Sequence, residues 1–235
     1  MDPARPVAPA PRPWESPNSV YAQLRDAIIH GRLRPGDRLV EADVARQFRI
    51  VRSSSREALK LLEFEGLLEA IPRHGYMVSP ITLRQVEQMF DLRLIVEPEV
   101  ARRAARLDST PEVMALAKFV GEAYAPDRPG SYESFLAQNR IFHVAIARLT
   151  GNDRLTALID SLLEQLERVF CLGVDIRGRA EDFMRQRREF VAAIQSADPD
   201  KAAAVARSQI ESSRQMVLDA MLEGALEASI GRKSP

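Results

Sequence analysis

The sequence has little of several features that mark particular classes of protein. It contains one cysteine, Cys171, so no internal disulfide can form, as is usual in a reducing cytoplasm. No run of eighteen apolar residues is present, which excludes a membrane-spanning helix. Residues 1–17 lack the apolar core of a secretory signal. No nucleophile, glycine-rich phosphate loop or carboxylate pair indicates an enzyme. We therefore expect a cytoplasmic protein without a membrane partner.

The positive charge is unevenly distributed, although 33 basic and 33 acidic residues give a net charge of zero. Five cations lie between residues 46 and 60 against one anion, Glu57. This stretch predicts a helix that begins near Arg52 and is capped by the hydroxyls of Ser53–Ser55. One predicted face is basic and carries Arg52, Arg56 and Lys60. The predicted inner face carries Ala58, Leu61, Leu62 and Glu65.

Short elements flank this basic helix on both sides. A helix over Glu41–Phe48 is predicted before it, and two short strands around the basic turn Pro72–Gly75 are predicted after it. The order helix, turn, helix and wing suits the major groove of DNA, where arginine pairs with guanine and serine donates to phosphate. The alternative is an ordinary amphipathic helix and hairpin whose arginines are only solvated.

Residues 19–79 resemble the winged helix-turn-helix of the GntR family of bacterial transcription regulators. The residues that carry the resemblance include Tyr21–Arg25, Leu33–Leu39, Arg52, Arg56–Leu59, Glu65–Leu67, Gly75 and Val78. The resemblance implies sequence-specific binding to a double-stranded DNA operator through Arg52, Arg56, His74 and Gly75. The local charge and the helix start add Arg49, Ser53 and Ser54 to the predicted DNA contacts.

The remainder of the chain is predicted to be a bundle of about six helices, because no strand pattern occurs after Leu83. The helical patterns cover residues 84–107, 111–124, 131–149, 152–176, 180–196 and 199–227. The predicted fold is therefore mainly α, and its predicted domains are a proline-rich tail (1–17), a winged helix-turn-helix (18–80), an all-α domain (81–228) and a C-terminal tail (229–235). Pro98 is expected to kink the first long helix, and Arg93 and Glu97 are expected to form a surface ion pair.

Residues 83–227 resemble the all-helical FCD effector domain of the FadR branch of this family. The residues that carry the resemblance are Leu92–Glu97, Phe142-His143, Gly151–Asp153 and Phe190–Ile194, with Asp198 and Ala202–Ala206. The resemblance implies a pocket in which many members hold a divalent metal through one aspartate and three histidines, with a small carboxylate effector beside it. Those four positions are occupied here by Asn139, His143, Arg187 and Gln209.

These replacements predict a pocket without a metal cofactor. An arginine stays protonated and cannot ligate a metal, and amides are poor substitutes for a carboxylate and an imidazole. We expect Arg187 to supply the positive charge for an acidic ligand, because a guanidinium binds a carboxylate through two parallel hydrogen bonds. The predicted ligand-binding residues are Arg93, Asn139, His143, Arg187 and Gln209. The alternative is that Arg187 pairs with an acidic side chain and the pocket is only core.

The sequence thus predicts a ligand-responsive transcription regulator that binds an operator as a homodimer and senses a small organic acid. Repression is the more common action in families of this kind. Two alternatives remain at this stage. One is a dimeric DNA-binding regulator without an effector, and the other is a metal-dependent enzyme that uses His143.

Overall fold

The computed structural model of the chain describes residues 19–107, 110–120, 131–172 and 180–230. The predicted proline-rich tail, residues 1–17, lies outside the described residues. The chain divides into two compact units, Met1–Pro80 and Ile81–Pro235, and each has a hydrophobic core of its own.

The N-terminal unit is a winged helix-turn-helix. Its helices are α1 (Val20–Ile29), α2 (Glu41–Gln47) and α3 (Arg52–Phe64), and its strands are β1 (Arg38–Leu39), β2 (Leu68–Ile71) and β3 (Gly75–Val78). β3 lies between β1 and β2 and is antiparallel to both. The predicted helices and hairpin are confirmed. Strand β1 was not predicted, because a strand of two residues is too short to show an alternating pattern of apolar and polar residues.

The start of α3 differs from the prediction that serine hydroxyls cap it. Val51 is the N-cap residue and has no side chain that can accept a hydrogen bond there. Ser53 and Ser54 are exposed within the first turn. Ser55 is fully buried, and its Oγ donates a hydrogen bond of 2.8 Å to the backbone oxygen of Glu41. The buried hydroxyl therefore joins α3 to the start of α2.

The inner face of α3 consists of apolar side chains together with Ser55. Ala58, Leu59 and Leu62 are buried in the core of this unit. Glu65, which the periodicity placed on the inner face, is exposed, and its Oε2 lies 2.8 Å from Nε of Arg25. A charged carboxylate loses too much hydration in an apolar core, so Leu59 rather than Glu65 completes the buried face.

The wing depends on a close approach between its first and third strands. Gly75 begins β3 with a φ of 86°, a conformation that side chains with a Cβ rarely adopt. A Cβ at this position would lie 2.5 Å from the backbone oxygen of Leu39 in β1. Glycine is therefore required here by both the backbone conformation and the space available.

Replacing Gly75 by alanine is expected to destabilise the wing by more than the roughly 1–2 kcal/mol that a left-handed backbone alone costs an L-residue. The contact with Leu39 adds to that cost. Gly66→Ala is the matched control, because Gly66 has a φ of 74° and nothing within 4 Å of a Cβ. Amide hydrogen exchange at Val78, whose N–H donates to the Asp37 oxygen at 2.9 Å, measures the difference. Equal exchange rates in the two variants would contradict a role for the contact.

The second unit is a helical bundle, as predicted. Its helices are α4 (Leu83–Ala105), α5 (Pro111–Ala115), α6 (Ser131–Leu149), α7 (Asp153–Cys171), α8 (Ala180–Gln195) and α9 (Pro199–Ile230), with a 3-10 turn at Leu116–Val120 after α5. α4 packs against α6, α7, α8 and α9 and is the central helix. The predicted helical segments 121–124 and 173–176 lie outside the described residues, and α9 extends beyond its predicted end at residue 227.

Local capping explains where several of these helices begin. Thr82 and Gln85 form a reciprocal capping box at the start of α4. Asn152 accepts hydrogen bonds from the backbone N–H groups of Arg154 and Leu155 at the start of α7. Asp198 accepts from the backbone N–H of Lys201, at 2.9 Å, and begins α9. Each cap satisfies a backbone donor that a helix start leaves without an internal partner.

Pro98 lies inside α4, as the sequence indicates, and the helix continues through it. Proline has no N–H, so the backbone oxygen of Leu94 loses its usual helical donor. Nη2 of Arg207 in α9 donates to that oxygen at 3.4 Å. A side chain of the neighbouring helix therefore replaces the missing hydrogen bond.

A polar layer separates two apolar clusters inside the bundle. One cluster contains Val86 and Phe90 near the start of α4, and the other contains Val100 and Ala104 near its end. Along α4 and α8 the buried Arg93, Glu97 and Arg187 fall between members of the two clusters, and the buried His143 of α6 contacts Glu97. In the part of the chain that the structure describes, no helix is long and apolar enough to cross a membrane.

Candidate functional site

The basic face of α3 is exposed in the N-terminal unit, as the sequence predicts. Arg52 is the first residue of the helix, and Arg56 and Lys60 follow at intervals of one turn. The other predicted contact residues surround this face or form the wing turn. Arg49, Ser53, Ser54 and His74 are exposed, while Gly75 is half-buried. Their contacts with DNA remain a prediction.

Arg52 and Arg56 differ in their surroundings, although the sequence presents them as equivalent. Arg56 forms a two-point ion pair with Glu41 of α2, with Nε–Oε1 and Nη2–Oε2 distances of 3.0 and 3.1 Å. The hydrogen bond from Arg56 holds the pKa of Glu41 below its ordinary value. The Arg56 side chain is still 57% exposed. Its guanidinium is therefore oriented by α2 while one side faces solvent.

The five predicted ligand-binding residues lie around one pocket in the helical unit. Arg93, Asn139, His143, Arg187 and Gln209 come from four helices and all line a cavity of about 60 Å³. One ordered water needs roughly 10–15 Å³ of cavity volume, so the cavity has room for several waters or a small organic molecule. The sequence spacing alone could not show that these helices converge.

Arg93 and Glu97 form a buried ion pair, which corrects the expectation of a surface pair. Arg93 is 5% exposed and Glu97 is 4% exposed. Nε and Nη2 of Arg93 lie 2.5 and 3.3 Å from the two carboxylate oxygens. Nδ1 of His143 lies 3.0 Å from Oε2 of the same carboxylate. Glu97 is therefore held by two side chains from two different helices.

The electrostatics of this triad determine its protonation. Burial raises the pKa of Glu97, but the charge of Arg93 and the hydrogen bonds from Arg93 and His143 outweigh it and hold the pKa at about 2. Burial lowers the pKa of His143 from its ordinary value of 6.5, against the opposing attraction of Glu97. Near neutral pH the carboxylate is charged and the imidazole is neutral. Its Nδ1–H then donates to Glu97, which leaves the lone pair on Nε2.

Arg187 is 4% exposed, and its guanidinium lies over two aromatic rings. Its guanidinium carbon is 5.5 Å from the ring centroid of Phe135 and 5.3 Å from that of Phe142. Its Nη1 donates to the backbone oxygen of Phe119 and its Nη2 to Oδ1 of Asn139, both at 3.3 Å. Aromatic faces and neutral oxygens thus orient a cation whose position at the pocket is fixed.

The four residues at the family's metal-ligand positions do not fit a divalent metal. The protonated guanidinium of Arg187 has no lone pair to offer. Oδ1 of Asn139 accepts a hydrogen bond from Arg187, and Nε2 of Gln209 donates to the backbone oxygen of Gln186 at 2.5 Å. Among the described residues, no group of three or more histidine, cysteine, aspartate or glutamate side chains is arranged to hold a metal ion.

A third arginine at the pocket, besides Arg93 and Arg187, was not predicted from the sequence. Arg140 of α6 lines the cavity, and its guanidinium contacts three carboxylates of α7. The distances are 2.6 Å to Asp160, 3.1 Å to Glu164 and 3.8 Å to Glu167. The available signal was the spacing of these acidic residues, which places them along one face of α7.

Cys171 lies in surroundings that make its thiol unreactive. It is half-buried near the end of α7. Burial, together with the charges of Glu167 and Glu133, raises the pKa of its thiol to about 12. The thiol is therefore protonated near neutral pH and is a poor nucleophile.

Comparisons with known proteins agree with both parts of this architecture. Residues 17–78 match the family described as bacterial regulatory proteins, gntR family, and residues 88–212 match the FCD domain. The chain belongs to the GntR family of transcription regulators. It combines the DNA-binding domain of that family with an FCD effector domain, and members of this family are transcription regulators rather than enzymes.

Its relatives in the GntR family include named repressors. The gluconate operon transcriptional repressor of Bacillus subtilis (strain 168) is 29% identical over 181 residues, which cover 74% of each chain. The HTH-type transcriptional repressor RspR of Escherichia coli (strain K12) is 26% identical over 181 residues, 77% of this chain and 79% of the relative.

Solved structures share the fold of this chain. A transcriptional regulator GntR from Rhodococcus sp. RHA1 has a TM-score of 0.71 at 24% identity and covers 86% of this chain and 96% of its own. E. coli McbR/YncC has a TM-score of 0.69 at 19% identity, with 85% and 95% covered.

Proposed function

We propose that this GntR-family regulator is a repressor that binds its operator as a homodimer and releases it when a small organic acid occupies the FCD pocket. The observation that carries the proposal is the position of Arg187, a buried guanidinium held at a cavity among Asn139, His143 and Gln209. A carboxylate is a suitable partner for a guanidinium in such surroundings, because the pair makes charge-assisted hydrogen bonds. The names of two relatives as repressors support the direction of regulation.

The dimer follows in this proposal from how helix-turn-helix proteins read DNA. One recognition helix contacts only a few base pairs, whereas two helices spaced about one turn of DNA apart reach useful specificity. An acid that binds one dimer geometry better than another shifts the population toward that geometry. If that geometry no longer matches both half-sites, the operator is released.

His143 is a positioning and lining residue in this proposal, not a catalytic base. Its Nδ1 contacts the carboxylate of Glu97. The other residues at the family's metal-ligand positions do not form a metal site that His143 could complete. The other alternative, a dimeric regulator without an effector, is distinguished by ligand binding to the purified protein. A true effector raises the melting temperature in a concentration-dependent way. At 100 times its dissociation constant it adds roughly 2.7 kcal/mol to the free energy of unfolding.

Arg187→Gln is expected to weaken binding of the stabilising acid by about 10- to 100-fold, because hydrogen bonds to charged groups contribute roughly 1.5–3 kcal/mol. Calorimetric titration of the full-length protein measures the change. Arg188→Gln is the matched control, since Arg188 is the next residue of α8 and is exposed. If a panel of small organic acids stabilises neither the wild type nor the control, acid sensing is wrong.

Arg52→Ala is expected to remove roughly 1–3 kcal/mol of discrimination between the operator and unrelated DNA if Arg52 contacts a base. If it contacts a phosphate, affinity for all sequences falls and the salt dependence becomes shallower. Binding to operator fragments selected from random DNA, measured at several salt concentrations, separates these outcomes. Unchanged binding in both Arg52→Ala and Arg56→Ala would refute the assigned DNA-binding face.

The ion pair between Glu41 and Arg56 provides a further comparison within this experiment. Glu41→Gln keeps the shape of the side chain but removes the charge that orients Arg56. If Arg56 binds DNA from this fixed position, Glu41→Gln lowers operator affinity in the same direction as Arg56→Ala. An unchanged affinity would mean that the orientation by α2 is not needed for binding.

A further inference from the structure

The turn at the tip of the wing joins β2 to β3 and holds an arginine in an unusual conformation. The N–H of His74 donates to the backbone oxygen of Ile71 at 2.9 Å and closes a four-residue turn. Its inner residues are Pro72 and Arg73, and Arg73 has a φ of 67°. A positive φ at this place is typical of a type II turn, in which proline is common first and glycine or asparagine second. Arginine therefore stands where glycine or asparagine would be less strained.

The strain at Arg73 is not explained by a contact that the side chain makes. Among the described residues other than glycine, a positive φ occurs at Arg49, Arg73 and Ala197. Arg49 directly follows the end of α2, where the helix dipole favours a positive charge. Arg73 is exposed, lies at no helix end, and forms no side-chain hydrogen bond or ion pair within the described residues. Strained residues of this kind are concentrated at functional sites.

His74, the predicted DNA contact in the same turn, is less available than Arg73. Its Nδ1 lies 2.9 Å from the backbone oxygen of Pro72. The imidazole is therefore folded back onto the turn to which it belongs. The guanidinium of Arg73 is longer, carries a permanent charge and is not held in this way.

The tip of the wing lies on the same side of the N-terminal unit as the basic face of α3. A Cβ at Gly75, which ends the turn, would lie 2.5 Å from the backbone oxygen of Leu39 and 3.3 Å from Cα of Val40. The next residue, Glu41, binds Nε of Arg56 at 3.0 Å. A short series of contacts thus connects the wing tip with the middle of the basic face.

The length of the wing suits a contact outside the groove that α3 would occupy. A strand of four residues spans about 13 Å, and the major groove is about 12 Å wide. A wing tip beside α3 can therefore extend past the edge of the major groove to the adjacent minor groove. A·T-rich DNA has a narrow minor groove whose negative potential attracts arginine. A guanidinium is also more weakly hydrated than an ammonium group, so it enters such a groove at a lower cost.

We infer that Arg73 is a specificity-determining residue whose guanidinium enters the minor groove beside the half-site contacted by α3 and favours A·T base pairs there. The inference rests on the proposed DNA-binding face of α3 and adds a second groove to the recognition. The turn fixes the place at which the guanidinium enters. An A·T pair presents only acceptors in the minor groove, whereas a G·C pair adds the amino group of guanine, which opposes a cationic donor.

The first test uses the full-length protein and operator fragments selected from random DNA. We expect these fragments to have A·T pairs beside each half-site. Changing these pairs to G·C should lower affinity by at least about 5-fold, the lower end of the cost of one unfavourable base pair. Inosine·C pairs at the same positions should restore it, because inosine keeps the major-groove atoms of guanine and lacks its minor-groove amino group. A loss that inosine does not restore would refute contact in the minor groove.

The second test removes the guanidinium without adding strain. Asparagine adopts a positive φ more readily than arginine, so amide exchange at His74 should be no faster in Arg73→Asn than in the wild type. We expect Arg73→Asn to lose about 5-fold in affinity for the A·T-flanked fragments and to bind A·T and G·C flanks equally. Arg32→Asn is the matched control and should keep the flank preference. It also removes an exposed arginine of the N-terminal unit, one whose guanidinium contacts Asp26.

The results separate this inference from the proposed face of α3. If Arg73→Asn weakens binding to both kinds of fragment equally and makes the salt dependence shallower, Arg73 contacts a phosphate and the inference is wrong. Binding of Arg73→Asn that equals the wild type would also refute it. Arg52→Ala should change the preference within the half-site and leave the flank preference intact. If Arg52→Ala and Arg56→Ala bind normally while Arg73→Asn loses the flank preference, the proposed face fails and the minor-groove contact stands.

Discussion

Replacing Glu97 by leucine is expected to lower the free energy of unfolding of the helical unit by about 3–5 kcal/mol, the usual result of removing one partner from a buried ion pair. Arg93 would remain 5% exposed without its carboxylate, and Nδ1 of His143 would lose its acceptor at 3.0 Å. Urea unfolding of the full-length protein, followed by far-UV circular dichroism with a separate transition for each unit, measures the loss.

The same helix provides the matched control. Glu99 and Arg103 of α4 are also four residues apart, with a distance of 2.9 Å, but they are 42% and 48% exposed. Glu99→Leu is therefore expected to have a much smaller effect, because solvent screens exposed pairs. The double variant Arg93→Met/Glu97→Leu should recover stability, since both buried charges are then absent. Equal losses for Glu97→Leu and Glu99→Leu would contradict the burial of the Glu97 pair.

The stability of the helical unit is expected to fall in acid, by roughly 3 kcal/mol from Glu97 alone, since its pKa is about 2 in place of the ordinary 4.5. A lowered pKa means that the unfolded chain takes up the proton first. This contribution is therefore complete above about pH 4.5 and is lost as the pH falls toward 2. His143, whose pKa burial lowers from 6.5, acts in the same direction and begins to contribute to the loss below pH 6.5.

A comparison of the wild type with Glu97→Leu tests the titration of the carboxylate. The difference in their free energies of unfolding should shrink as the pH falls from about 4.5 toward 2, and at higher pH it also contains a contribution from His143, whose pKa Glu97 raises. Thermal unfolding in buffers between pH 7 and pH 3 gives both curves. A difference that stays constant over the whole range would mean that Glu97 titrates normally, and the buried triad would then be wrongly described.

Much of the fold could be predicted from local patterns. The helical periods, the capping residues and the basic stretch around Arg52 identified most of the described helices, because an amphipathic helix must turn one face inward wherever it packs. The two-residue strand β1 could not be predicted, because its existence depends on pairing with β3. The role of Ser55 was missed for a similar reason, since the acceptor of its hydroxyl, Glu41, is 14 residues away.

The residues of the pocket were predicted by resemblance to the FCD domain, and their convergence on one cavity required the structure. Asn139 and Arg187 are 48 residues apart and are joined by a hydrogen bond. Arg140 was missed because its carboxylate partners lie on another helix. The spacing of those carboxylates shows that they share one face of α7 but not which residue of another helix they contact, because loops of variable length separate the helices.

The sequence by itself determined the order of the helices, the wing, the family and the basic face of α3, because these depend on neighbouring residues along the chain. Only the tertiary structure decided which charges are buried. Arg93–Glu97 and Glu99–Arg103 have the same spacing on one helix, yet the first pair faces the polar layer of the bundle and the second faces solvent. The physical reason is that the spacing of residues along a helix determines which of them share a face. The packing of α6, α7, α8 and α9 around α4 determines which face is buried away from water.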